Sequence, residues 1–92
     1  MSVRRSKLDI VLSVLSAVMS GVDKPTRIMY AANLSWTLTK RILESLVEQG
    51  LLSIREKAGS RRSRIRYEIT EKGANVLRYF NGAKELIKGM IS

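Results

Sequence analysis

The residues of this chain best suited to chemistry are cations. Lys40 and Arg41 lie one turn into a stretch, 35–49, whose apolar residues recur at helical spacing. Lys57, Arg61, Arg62, Arg64 and Arg66 crowd a second stretch, in which no acid occurs from 58 to 67. Guanidinium and ammonium groups in such clusters suit phosphate oxygens, and Arg in addition reads the guanine edge through two parallel hydrogen bonds. An exposed helix face with two basic residues is also, often enough, only a solvated face. The second cluster is harder to dismiss, because five cations without an anion repel one another unless a polyanion screens them, and edge protection of a strand needs fewer.

Other chemistries have little material. Cysteine and histidine are absent, which excludes disulfides, thiolate catalysis, imidazole bases and the usual zinc ligands. The eight carboxylates are scattered, mostly beside Lys or Arg, and no glycine-rich phosphate loop occurs. We therefore expect no enzyme, no cofactor and no metal. Seventeen Lys and Arg against eight Asp and Glu give a formal net charge of +9. That favours a polyanionic partner, nucleic acid ahead of an anionic membrane surface. No apolar run approaches the roughly 20 residues of a membrane span, and the start lacks the apolar core of a signal peptide, so the expected location is the cytoplasm. The lack of cysteine and histidine, with one glutamine and three asparagines, also suits a thermophile.

The elements that must position the cations can be read in order. Ninety-two residues make one domain, 1–92, with a modest core that gains from oligomerising. Residues 1–6 form a basic arm carrying Arg4 and Arg5. Helix 1 spans 7–20: Ser6 and Asp9 resemble a capping box, and Leu8, Val11, Val14, Leu15 and Val18 mark the core side up to Gly21. Helix 2, 25–32, starts at Pro25, with Ile28, Met29, Ala31 and Ala32 as burial candidates and Arg27 and Tyr30 outside. A tight turn at Asn33-Leu34 leads to Ser35, a good N-cap for the helix over 35–49. There Leu38, Thr39, Ile42, Leu43 and Leu46 share one side, while Thr37, Lys40, Arg41 and Glu44 share the other, with Trp36 at the entrance.

After Gly50 the period changes from helical to alternating, and 51–69 reads as a β-hairpin whose turn is the stretch 58–63. Thr70 caps a final helix, 70–90. Val76, Phe80, Ala83, Ile87 and Met90 are spaced four, three, four and three, the seam of a short coiled coil, and are the expected dimer interface. The alternative is a helix folded back on helix 1.

Helix, helix, turn, helix, basic hairpin, helix is the order of a winged helix-turn-helix domain, mainly α with a two-stranded β wing, α-α-α-β-β-α. The run Thr26-Arg27-Ile28-Met29-Tyr30-Ala31-Ala32-Asn33-Leu34-Ser35, with Ser6-Lys7-Leu8-Asp9-Ile10, Gly50-Leu51-Leu52 and Tyr67-Glu68-Ile69-Thr70-Glu71-Lys72-Gly73, resembles the small archaeal winged-helix DNA-binding proteins. These include predicted transcriptional regulators and an abundant crenarchaeal chromatin protein that dimerises through a C-terminal coiled coil. The resemblance implies a recognition helix at 35–49, carrying Trp36, Thr37, Lys40, Arg41 and Glu44, and a wing carrying Lys57, Arg61, Arg62, Arg64 and Arg66. Arg4, Arg5, Lys24, Arg27 and Ser35 then add contacts to the DNA backbone. The final helix is short for a long coiled coil and the wing is rich in arginine, which points to a regulator, cellular or encoded by an archaeal virus. A homodimer on double-stranded DNA is the expected assembly. A nonspecific chromatin role, or a protein-interaction module whose wing meets an acidic partner, are the alternatives.

Overall fold

A computed structural model describes residues 6–57 and 64–91. The order is α1 (Lys7–Met19), α2 (Pro25–Ala32), α3 (Trp36–Glu48), β1 (Leu52–Lys57), β2 (Arg64–Ile69) and α4 (Glu71–Ile91). This is the expected α-α-α-β-β-α arrangement. Arg4, Arg5, the 58–63 turn and its Arg61 and Arg62 lie outside the described residues.

The first three helices start and stop for local reasons. Ser6 accepts a hydrogen bond from the Asp9 N–H at 3.1 Å, and Ser35 accepts one from the Leu38 N–H at 3.2 Å; each satisfies a first-turn donor that the helix cannot. The Ser6 hydroxyl, followed by the Lys84 ammonium, holds the Asp9 carboxyl below its ordinary pKa. Pro25 opens α2 where a missing N–H costs nothing. All three helices end in a left-handed residue: Gly21, Asn33 and Gly50, with φ of 105°, 55° and 78°. At each, the N–H of that residue and the N–H of the one after it turn back onto the last carbonyls, for example Gly50 to Val47 at 3.0 Å and Leu51 to Leu46 at 2.9 Å.

The core forms where α1, α2, α3, the start of β1 and the first turns of α4 meet, around Leu15, Ile28, Leu43, Leu52 and Val14, with Thr39 as the buried polar residue. Thr39 is satisfied by donating to the Ser35 carbonyl at 2.8 Å. Two burial expectations, for Leu8 and Ala31, need correction. Leu8 is exposed, because the elements packed on α1 do not cover its first turn, and Leu12 and Ala17 are buried instead. Ala31 is exposed, because α2 turns Ile28 and Ala32, one turn apart, toward the core. Ile54 is exposed, because β1 runs beyond the helices that cover Leu52.

The two strands pair antiparallel from Leu52 opposite Ile69 to Lys57 opposite Arg64. Two devices hold this hairpin to the helices. On one side the Tyr67 N–H donates to the Asp23 carbonyl at 3.0 Å, adding the α1–α2 turn to the sheet edge. On the other, Thr70, Lys72 and Gly73 close on the end of α3. The Thr70 hydroxyl reaches the Gly50 and Leu51 carbonyls at 2.6 and 3.0 Å and accepts from the Gly73 N–H at 3.0 Å, capping α4. Lys72 Nζ donates to the Gln49 carbonyl at 3.0 Å. Gly73 packs so closely that a Cβ there would overlap the Leu51 carbonyl.

This arrangement reverses the usual sign of a helical Gly→Ala change. At Gly82, where nothing lies near an added Cβ, alanine should stabilise the chain by about 1 kcal/mol through helix propensity alone. At Gly73 the overlap is with backbone, so the same gain is outweighed by an overpacking cost of about 1–3 kcal/mol or more. Denaturant unfolding of Gly73→Ala and Gly82→Ala should therefore shift in opposite directions, and a stabilised Gly73→Ala would refute the close packing.

Candidate nucleic-acid interface

The turn between α2 and α3 consists of Asn33, Leu34 and Ser35, and its left-handed Asn33 ends α2 and redirects the chain into α3. With Thr39, Ile42, Leu43 and Leu46 buried, the opposite side of α3 is committed to solvent. Trp36, Thr37, Lys40, Arg41 and Glu44 together line a shallow, open depression on that side. These are the five residues assigned to the recognition helix, and all five are exposed. Neither Lys40 nor Arg41 forms an ion pair with a described residue. Ser35 spends its hydroxyl oxygen as the α3 cap, yet its O–H remains free to donate.

Next to this face, α2 carries Lys24 at its N-cap and exposed Arg27, with no acid in the first turn. Cations at a helix start oppose the dipole there, and an anion shared by the two would relieve both. The wing lies close to α3 on its other flank. Burial first, and the nearby Glu44 carboxylate second, push the Tyr67 hydroxyl above its ordinary pKa.

The wing separates its cations into two groups. Arg55 stands opposite Arg66 and Lys57 opposite Arg64, and like charges so placed destabilise a ribbon. The inner rung is compensated within the chain: Arg55 reaches Glu68 at 2.7 Å, and Arg66 lies 3.9 Å from Asp23 with only 21% of its side chain exposed. Arg66 also donates to the Ile65 carbonyl at 3.2 Å. Arg66 is therefore drawn toward the α1–α2 turn. Arg55 was missed, although counting back from the Lys57–Arg64 rung places it opposite Arg66.

The expected dimer seam is also divided. Val76 and Phe80 pack against the chain's own core, Ala83 is half-buried, and Ile87 and Met90 are 55% and 84% exposed. The exposed large apolar residues of α4 are Tyr79, Leu86, Ile87 and Met90, which adds Tyr79 and Leu86 to two residues of the expected seam.

A helix-turn-helix whose second helix offers a polar, cation-bearing face, flanked by a basic two-stranded ribbon, defines a winged DNA-binding domain. The comparisons agree. Residues 4–88 match the family model described as winged helix-turn-helix, and the chain belongs to that family, one of non-enzymatic DNA-binding proteins. An uncharacterised protein of Methanocaldococcus jannaschii is 29% identical over 70 residues, 76% of this chain and 64% of that protein. Sso10a-2, a DNA-binding protein from Sulfolobus solfataricus, superposes with a TM-score of 0.69 at 25% identity, covering 94% of this chain and 88% of the other. The transcriptional regulator BldR from the same organism gives 0.72 at 21% identity, over 89% and 59% of the two chains. The zinc-responsive MarR family member ZitR from Lactococcus lactis gives 0.72 at 19%, over 99% and 61%. The last two show likeness of fold alone, and the chain spans less than two thirds of their length and of the Methanocaldococcus protein. No described helix is long and apolar enough to cross a membrane.

The division of wing charge can be checked by salt dependence. Lys40→Ala should lower the slope of log affinity for duplex DNA against log salt by about one. Arg66→Ala should leave the slope nearly unchanged and lower thermal stability. A full unit of slope lost with Arg66 would place that side chain on phosphate after all.

Proposed function

We propose that this chain is a sequence-specific double-stranded DNA-binding protein, a transcriptional regulator acting as a homodimer. The observation that carries the proposal is the single open depression on α3 that gathers Trp36, Thr37, Lys40, Arg41 and Glu44. An α-helix fits the major groove, where Arg41 pairs with guanine while Thr37 and Glu44 face neighbouring base edges. Lys40 and Trp36 contact the strand at the helix entrance. Lys24, Arg27 and the Ser35 hydroxyl take phosphates on one flank. Lys57, Arg61, Arg62 and Arg64 follow phosphates or the minor groove on the other, and Arg4 and Arg5 extend the contact along the backbone. The partner copy docks through the distal part of α4, where Tyr79, Leu86 and Met90 are 73%, 72% and 84% exposed. Two such domains address half-sites one helical turn apart or a multiple of it. The second reading, uniform coating of DNA in an architectural role, is favoured by the wing, whose chemistry suits phosphate rather than bases.

Binding of a genomic fragment library at several salt concentrations, with solution mass measured in parallel, separates the two. A few fragments held far above the rest by a dimer support the regulator, and uniform, steeply salt-dependent binding supports the architectural role. Arg41→Ala should lose about 1–3 kcal/mol of discrimination at one base position, whereas Arg62→Ala should weaken every duplex alike. Equal losses on all sequences for both would remove base reading from Arg41.

The dimer has its own check. Leu86→Glu, at a side chain that touches little within its own chain, should halve the solution mass without lowering helix content. A mass that never exceeds the monomer in the unsubstituted chain would eliminate the α4 interface.

A further inference from the structure

We infer that the crevice between α1 and α3 is a binding site for a small aliphatic carboxylate, and that its occupancy weakens DNA binding through Arg41. The binding half stands alone; the DNA half rests on the function proposed above.

The crevice encloses about 620 Å³, within the usual range for small-ligand sites. Its walls are Ile10 and Val11 from α1 and Leu38, Ile42 and Leu46 from α3, with Leu51 below. Ile10, Val11 and Leu38 are only partly buried, so apolar surface there still meets water. Every wall residue is aliphatic, and the crevice has no ring on which an aromatic ligand would stack. Among the described residues the charge of the lining has one sign: Lys7 and Arg41 contribute cations and no carboxylate lines the crevice. Neither cation is engaged in an ion pair with a described residue. Ser45 and Gln49, joined by a 3.1 Å hydrogen bond along α3, supply neutral polar groups beside them. An apolar trough with unpaired cations and no anion fits a molecule with a hydrocarbon body and a single negative head.

Arg41 gives this crevice a consequence. It lines both the crevice and the open depression that faces DNA, and is the residue common to the two. A side chain turned into the crevice to hold a carboxylate is not extended toward guanine in the major groove, because Arg41 takes one direction at a time. Ligand and DNA therefore compete for one side chain, and by linkage each must lower the other's affinity by the same factor.

The test uses butanoate, hexanoate and octanoate as probes on the full chain, followed by NMR chemical shifts, with ionic strength held constant. Saturable shifts at Val11 and Leu38 are expected, with affinity rising about three- to fourfold per added methylene. Hexanamide, equal in length and uncharged, should bind about tenfold more weakly than hexanoate. Ser45→Phe fills the crevice and should abolish the shifts while leaving DNA affinity intact; Lys7→Gln, on an exposed side chain, should weaken octanoate severalfold with the fold unchanged. Failure of octanoate to give saturable shifts, equal binding of hexanamide, or an unaltered response in a folded Ser45→Phe chain would each overturn the site. Saturating octanoate should also weaken DNA binding, and DNA should weaken octanoate equally. Saturable octanoate binding with DNA affinity unchanged would overturn the coupling and leave the site. A chain that binds octanoate but no DNA at all would refute the proposed function without touching the crevice.

Discussion

The structure depends most on the closure of Thr70, Lys72 and Gly73 over the carbonyls that directly follow α3. Three consecutive carbonyls, of Gln49, Gly50 and Leu51, accept from Lys72 or Thr70 side chains. A helix C-terminus carries partial negative charge, so an ammonium there is favourable as well as geometrically apt. The same threonine caps α4, and the missing side chain at Gly73 lets the two segments touch. One short stretch thereby sets the exit angle of α3, the entry of β1 and the start of α4. The orientation of the face bearing Lys40 and Arg41 relative to the wing follows from it. The Tyr-x-Ile-Thr-x-Lys-Gly ending is thus architectural, and its lysine is occupied within the chain.

Compensation of charge inside the chain sorts the cations more sharply than their number. Asp23 and Glu68 meet Arg66 and Arg55 at the base of the wing, and Asp9 meets Lys84 where α4 crosses α1. The exposed pairs, Arg55–Glu68 and Asp9–Lys84, contribute little to stability, but each engages a cation within the chain. Lys40 and Arg41 on the outer side of α3, with Lys24 and Arg27 at the start of α2, are in no ion pair with a described residue. The inner wing acts as a strut: Arg66 and the Tyr67 N–H both reach Asp23, linking the ribbon to the turn before α2.

Most of the fold was legible in the sequence because its signals are local. Ser6, Ser35, Pro25, Gly21, Asn33 and Gly50 each dictate a boundary through their own hydrogen bonds or φ, and the change of period after Gly50 marks the strands. The face of α3 was legible for a related reason: four buried residues on one side leave the other determined. What escaped depends on which element covers which. The exposure of Leu8 and Ile54 reflects where neighbouring helices stop, and the pairing of Arg66 with Asp23 joins residues 43 positions apart in the chain. Arg55 was visible only through the strand register. The crevice had no sequence signature at all, since its walls belong to two helices whose relative placement the periodicity does not encode.

The last helix shows how one amphipathic pattern serves two surfaces. At 100° per residue, Val76 and Phe80 lie within one turn of each other and, with Leu77, face the core; Tyr79, Leu86 and Met90 fall within about 40° of one another on an adjacent side. The 21 residues of α4 extend about 32 Å, longer than the rest of this small domain can cover, so the distal apolar residues emerge into solvent. Burying them only within the chain would require the helix to bend back, and an unbroken α4 has no means of doing so. In the homodimer proposed above, a second copy would meet these residues without any bend, because two antiparallel helices present the same surface to one another.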